Sequence, residues 1–420
     1  MRFSRDFYLQ QLKNRMHNGM MKVVTGIRRS GKSYLLFHIF ADFLRGEGVD
    51  EAHIIQIDLE DRRNRKLRDP DELLTYIDSQ LKDDAMHYVL IDEIQMVSEF
   101  EDVLNSYLKV RNADVYVTGS NSHLLSTDVI TEFRGRGDEV RVHPLTFAEM
   151  QPYFVGKTEN EALREYMLYG GLPHLAELPT NEQKELYLKN LMRETYLRDI
   201  KERYKVMNDD DLVELVNMLS SSIGGLVSPK KLEDTFRTVK KSTLSAETIK
   251  RYIDLLQDAF VLEKAVRYDI KGRKYIDTPA KYYFEDLGLR NARINFRQNE
   301  QTHLMENLIY NELRFRGYSV DVGQVVLNAK DAEGKSYRMV LEVDFVCNKG
   351  YERYYIQSAF ALPDEEKMNQ EQQSLLHIKD GFQKVIIVAG LTPSHRNEVG
   401  VLFLNLWDFL THKMDFAIHN

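Results

Sequence analysis

Eight residues near the amino terminus, Gly26-Ile27-Arg28-Arg29-Ser30-Gly31-Lys32-Ser33, constrain this chain more than any other feature. They stand between a short apolar run at 20–25, which reads as a strand, and a second at 34–43, which reads as a helix. Two glycines, a lysine and a hydroxyl at this spacing match the phosphate-binding loop completely, in the strand–loop–helix context that loop requires. The glycines let the backbone curl so that several N–H groups converge on phosphate oxygens at a helix N-terminus, where the helix dipole also favours negative charge. The spacing assigns Gly26, Ile27, Arg28, Arg29, Ser30, Gly31, Lys32 and Ser33 to nucleotide binding. Lys32 is expected to face the β- and γ-phosphates and Ser33 to ligate Mg²⁺, so ATP and Mg²⁺ are the expected cofactors.

Such a loop needs an acidic partner, and Tyr88-Val89-Leu90-Ile91-Asp92-Glu93 supplies one. An apolar strand ending in two carboxylates places Asp92 where it can hold Mg²⁺ through the ion's water shell, and Glu93 where it can polarise an attacking water. The next strand, 114–118, runs into Gly119-Ser120-Asn121-Ser122. Asn121 is the candidate γ-phosphate sensor, with Ser120 and Thr118 behind it; a capped turn is the plainer alternative. Arg134 and Arg136 flank Gly135 and are candidates for contacting the γ-phosphate, in cis or from a neighbouring subunit, against the alternative of two solvated loop arginines. Strand-like runs at 20–25, 54–58, 88–92 and 114–118, separated by charged helical segments, predict βαβ units and a parallel sheet.

The rest of the chain must form further domains, because 420 residues exceed one domain of about 150. With 43% hydrophobic and 29% charged residues, the composition is that of an ordered protein. Lys and Arg number 57 against 65 Asp and Glu, a net charge of −8 that argues against a uniformly basic coat yet leaves room for a local basic face. The single Cys347 excludes an internal disulfide and a paired-cysteine zinc cluster, which fits a reducing compartment. Apolar runs at 88–91 and 385–390 are far shorter than the roughly 20 residues of a membrane span, and no apolar signal region follows Met1; a cytoplasmic protein without membrane contact is expected. Past 155, periodicity is helical to 208. Helix, helix, helix and hairpin then follow over 209–292, the order of a winged helix-turn-helix. An α/β pattern returns over 293–420. Lys230, Lys231, Lys240, Lys241, Lys250, Arg251, Lys271, Arg273 and Lys274 give the third segment a local basic excess, making DNA a candidate partner there; a protein-packing role and solvated helix faces are the alternatives.

The loop Gly26–Ser33, the acidic strand with Ile94-Gln95 after it, Thr118-Gly119-Ser120-Asn121-Ser122, Arg134-Gly135-Arg136, Pro144-Leu145 and Tyr169-Gly170-Gly171-Leu172-Pro173 together resemble the bacterial and archaeal AAA-type P-loop ATPases. More narrowly, they resemble the group whose carboxy-terminal domain, of unknown function, is similar to PD-(D/E)XK nucleases. The resemblance implies an α/β protein with an AAA-type ATPase core over 1–155, a helical linker or lid over 156–208, a winged helix over 209–292 and a restriction-endonuclease-like domain over 293–420. It implies an ATPase that rearranges the later domains, with DNA, a protein or further copies of itself as partner. A slow nucleotide-dependent switch and an ATP-gated nuclease are the alternatives. For the nuclease pattern, Glu306 supplies the helix carboxylate and Asp344 the strand acid. Gln357 and Ala359 stand where Glu and Lys are expected, so the resemblance implies a vestigial site made of Glu306, Asp344 and Gln357, without the lysine that would activate a water.

Overall fold

The computed structural model describes the chain apart from residues 1–2, 121–136, 198–199, 202–208, 242–243, 298–299, 331–334, 363, 391–392, 414–415 and 417–420. The chain folds into two compact units. The first comprises Met1–Pro144 with two short pieces, Leu172–Glu177 and Asp258–Phe260; the second comprises Leu145–Gly171, Leu178–Gln257 and Val261–Asn420.

In the first unit, β1 (Met21–Thr25), β2 (Ile54–Asp58), β3 (His87–Asp92), β4 (Ala113–Thr118) and β5 (Gly137–Arg141) form one sheet in the order β2-β3-β4-β1-β5, with every neighbouring pair parallel. All residues of β1 and β3 are buried, as expected of parallel strands covered on both faces. The charged residue of β1, Lys22, is buried in an ion pair with Asp114 of β4, whose other oxygen accepts from the Tyr116 hydroxyl at 2.8 Å. On one face, Val23, Ile57, Val89, Ile91 and Val117 pack against Leu73 and Ile77 of the helix Pro70–Gln80 and Val103 and Leu104 of the helix Phe100–Tyr107. Asp69 starts the first of these helices by accepting from the N–H groups of Asp71 and Glu72, with Pro70 in the first turn where its missing N–H costs nothing. The helix expected over 34–43 runs from Lys32 to Gly46 in three successive segments, Lys32–Tyr34, Leu35–Phe40 and Ala41–Gly46, the middle one π-helical.

The second unit contains an eight-stranded mixed sheet of β6 (Leu262–Asp269), β7 (Lys274–Phe284), β8 (Ser319–Lys330), β9 (Ser336–Lys349), β10 (Glu352–Ala359), β11 (Gln383–Val388), β12 (His395–Arg396) and β13 (Leu402–Asn405). Their order is β12-β13-β11-β10-β9-β8-β6-β7. Helices Asp209–Ser221, Pro229–Thr235 and Ala246–Asp258 precede the β6–β7 hairpin, the order read from the sequence. The hairpin, however, is not a free-standing wing. β6 pairs in parallel with β8, from Arg267 opposite Val322 to Asp269 opposite Gln324, so the sheet crosses the boundary expected between 292 and 293. The reason is burial: Tyr268 and Ile270 share one core with Val325, Val343, Tyr355 and Phe403, which only the later strands supply. No helix among the described residues is long and apolar enough to cross a membrane.

Candidate functional site: a phosphate-binding loop and an acidic strand end

β1 ends at Thr25 and the chain turns at once. Gly26 has φ 135°, and a Cβ on it would lie 2.1 Å from the carbonyl oxygen of Val142, so no side chain fits there. Gly31, with φ 96°, caps the helix that begins at Lys32, and its carbonyl accepts from the N–H of Leu35 at 2.9 Å. Between the glycines, Ile27 is buried and its carbonyl accepts from Ser30 N–H at 3.2 Å. Arg28 reaches Glu60 at 3.0 Å, and Arg29 takes a left-handed φ of 67°. The Ser30 hydroxyl is buried without a hydrogen-bond partner. Pro173, from the Gly-Gly-Leu-Pro segment noted in the sequence, lies against the loop, its Cγ 3.7 Å from where a Cβ of Gly31 would stand.

Lys32 is buried, and its Nζ donates to the carbonyl oxygens of Gly26 and Ile27 at 3.0 and 3.2 Å. Burial holds this ammonium below the usual lysine range, while the nearby charges of Glu93 and Asp92 oppose that shift. Asp92 ends β3 beside the loop. Its Oδ1 accepts from the Thr118 hydroxyl at 2.5 Å, and the Ser33 hydroxyl also hydrogen-bonds to it. Burial pushes the Asp92 carboxyl up to about 6, against those two hydrogen bonds. Glu93 follows with a left-handed φ of 55°, a strained conformation for this residue type, and its N–H donates to Thr118 Oγ1 at 2.9 Å. Its Oε2 accepts from Gln95 Nε2 and, at 3.2 Å, from the Ser120 hydroxyl. Thr118 therefore ties the Asp92 carboxylate to the Glu93 backbone, a role its rank behind Asn121 in the sequence did not convey. Asn121, Arg134 and Arg136 lie outside the described residues. A hydroxyl and a carboxylate already in contact at the loop form an all-oxygen donor set, which fits Mg²⁺.

The second unit gathers the residues singled out for the nuclease pattern, and here one expectation is corrected. Glu306, on the helix Gln301–Phe315, and Asp344, on β9, do converge, but the centre does not lack a lysine. Lys281 of β7, 2% exposed, places its Nζ 2.8 Å from Glu306, 2.7 Å from Glu342 and 3.9 Å from Asp344. The alternative considered on sequence, Lys367, instead pairs with Glu371 at 2.6 Å on its own helix. Sequence spacing missed Lys281 because it lies 25 residues before Glu306, on a strand assigned to another module. Burial lowers the Lys281 pKa, but the charges of Glu306, Asp344 and Glu342 outweigh it and hold the ammonium above its usual range. Burial likewise raises Glu306, and there the Lys281 charge and hydrogen bonds from Lys281 and Tyr283 prevail, leaving the carboxyl below its usual range. Asp344 is pushed up to about 7 by burial and by the Glu306 charge, although Ser358 N–H and Oγ each donate to its Oδ2 at 2.8 Å. The Gln357 Oε1 accepts from the Asp344 backbone N–H at 3.3 Å.

The basic residues of the 209–292 segment are less free than their count suggests. Lys230 pairs with Glu233 at 2.6 Å and Lys240 with Glu214 at 3.0 Å. Lys241, Lys250, Arg251, Lys271, Arg273 and Lys274 are exposed.

A family model for an AAA domain matches residues 18–151, and one for a domain of unknown function matches 160–300. The parallel sheet, the loop after β1 and the AAA match together define the class: this is an AAA-type P-loop ATPase. An uncharacterized protein of Haemophilus influenzae is 34% identical over 393 residues, spanning 91% of this chain and 92% of that protein. A second, from Methanocaldococcus jannaschii, is 26% identical over 402 residues, spanning 91% of this chain and 87% of its own length. The chain belongs to the family of the Haemophilus protein, and in this chain an AAA domain is followed by a domain of unknown function. Among solved structures, the Orc1 protein of Aeropyrum pernix in complex with DNA covers 70% of this chain and 93% of its own, at 13% identity and a TM-score of 0.29.

Proposed function

We propose that this chain binds ATP on the loop Gly26–Ser33 and hydrolyses it with Mg²⁺, using the nucleotide cycle to rearrange the regions that follow the AAA core. The observation that carries this reading is the contact of the Ser33 hydroxyl with Asp92, with Glu93 held one residue further on by Gln95 and Ser120. Loop N–H groups and Lys32 bind and orient the phosphates, Ser33 and Asp92 would hold the metal, and Glu93 takes the proton of the attacking water. Mg²⁺, when bound, neutralises charge on the phosphate oxygens. Asn121, Arg134 and Arg136 remain candidates for sensing or stabilising the γ-phosphate, the arginines in cis or across copies. Glu93→Gln tests the reading against a slow switch. It keeps shape and leaves the metal ligands intact, so nucleotide affinity should stay within about threefold while turnover falls by about 10²-fold or more. An affinity loss as large as the turnover loss would remove Glu93 from the role of base.

DNA is the proposed partner of the 209–292 region, in a cytoplasmic setting, and the exposure of Lys241, Lys250 and Arg251 supports the DNA contact. Reversing these three to Glu should weaken duplex binding and flatten the slope of log K against log salt by up to about 0.9 for each phosphate no longer neutralised. Wild-type protein without salt-sensitive DNA affinity at low ionic strength would redirect the proposal to a protein partner.

A further inference from the structure

Three potential metal ligands meet at the amino-terminal edge of the first sheet, the end opposite Asp92. His53 directly precedes β2, His87 opens the neighbouring β3, and Asp83 lies in the connection that leads into β3. Ligand atoms of the three lie within 4.8 Å of one another. His53 Nε2 is 3.0 Å from Asp83 Oδ2 and 3.1 Å from Oδ1. His87 is wholly buried, and its Nδ1 lies 2.8 Å from the carbonyl oxygen of Ala85. A carbonyl only accepts, so Nδ1 carries the proton, and in the neutral ring the lone pair is on Nε2. That Nε2 is buried and has no hydrogen-bond partner.

This is the arrangement a metal-binding histidine has: one ring nitrogen donates to a backbone oxygen and thereby aims the other, unprotonated, at the ion. The connection is also held in place. Ala85 N–H donates to Asp83 Oδ1 at 2.9 Å, Asn112 Nδ2 donates to the Asp83 carbonyl at 2.8 Å, and His87 N–H donates to the Asn112 carbonyl at 2.8 Å. An ordinary histidine–aspartate pair accounts for His53 and Asp83, but it leaves the orphaned nitrogen of His87 unexplained. We propose that His53, Asp83 and His87 form a site for a divalent transition-metal ion of the zinc type, distinct from the Mg²⁺ of the nucleotide loop. Two imidazoles and one carboxylate suit zinc, and three protein ligands leave a fourth tetrahedral position for water. Bonds of about 2.0–2.1 Å put tetrahedral donors about 3.3 Å apart, so the ion enters with a small spreading of the His53–Asp83 pair and an inward closing of His87. The site stands five residues along β3 from Asp92, roughly 17 Å at strand rise, so it shares no ligand with the loop.

The test is a calorimetric titration of untagged, chelator-stripped, nucleotide-free full-length protein with ZnCl₂ alone. One equivalent should bind with micromolar or tighter affinity. Because His87→Ala removes a buried ring and can unfold the core, the diagnostic variants are His53→Asn and Asp83→Asn, each expected to weaken binding at least tenfold. Cobalt(II) should give tetrahedral visible bands in the wild type that both variants lose. Absence of saturable zinc binding overturns the proposal, as does binding that persists in His53→Asn and Asp83→Asn but is lost in Asp92→Asn.

Discussion

Lys32→Ala is expected to lower ATP turnover by about 100-fold or more. The ammonium is buried at the mouth of the loop, tied to the carbonyls of Gly26 and Ile27, so it needs little rearrangement to meet phosphate oxygens carrying developing charge. Within a water-poor pocket one positive charge is worth far more than at the surface, and nothing in the loop replaces it. Lys32→Arg should fail nearly as badly. A planar guanidinium cannot occupy the space of a compact ammonium in a site this closed. Steady-state phosphate release and equilibrium nucleotide binding, with circular dichroism to show that the fold persists, measure both effects. Turnover within twofold of wild type in the alanine variant would sink the assignment of the phosphate-binding loop.

The second large effect is on stability. Lys281→Met should lower the unfolding free energy of the second unit by about 3–5 kcal/mol, read as a shift of its urea transition at neutral pH. Methionine conserves most of the volume, but it leaves Glu306 and Asp344 buried and Glu342 partly buried without the cation that compensates them. The companion variant separates charge from packing: Lys281→Met with Glu306→Gln removes both members of the closest buried pair and should recover much of the loss. A single variant as stable as wild type would show that the lysine does not hold this centre together. Mn²⁺ adds a further arm to the same measurement. If the centre is a vestigial metal site in which Lys281 stands where a cation once did, Mn²⁺ should stabilise Lys281→Met and leave the wild type unaffected.

What depends on residues close together in the chain is legible in the amino-acid order alone. The run from Gly26 to Ser33 specifies its own loop, because glycine conformation, the start of a helix and the lysine all lie within eight residues. The largely apolar runs ending at Thr25, Asp92 and Thr118, with the edge strand ending at Asp58 that exposes Gln56, announce a parallel sheet, because central strands covered on both faces are mostly apolar. Tertiary structure decided what depends on pairings across long separations. Thr118 joins Asp92 and Glu93 only because β4 lies next to β3. The β6–β7 hairpin reads as a wing from local order alone, and it joins the larger sheet because Tyr268 and Ile270 find their apolar partners on later strands. Lys281 was invisible as the partner of Glu306 for the same reason: motif spacing looks along one strand, whereas a buried carboxylate is neutralised by whichever cation the fold brings within reach, here one from a strand 25 residues earlier.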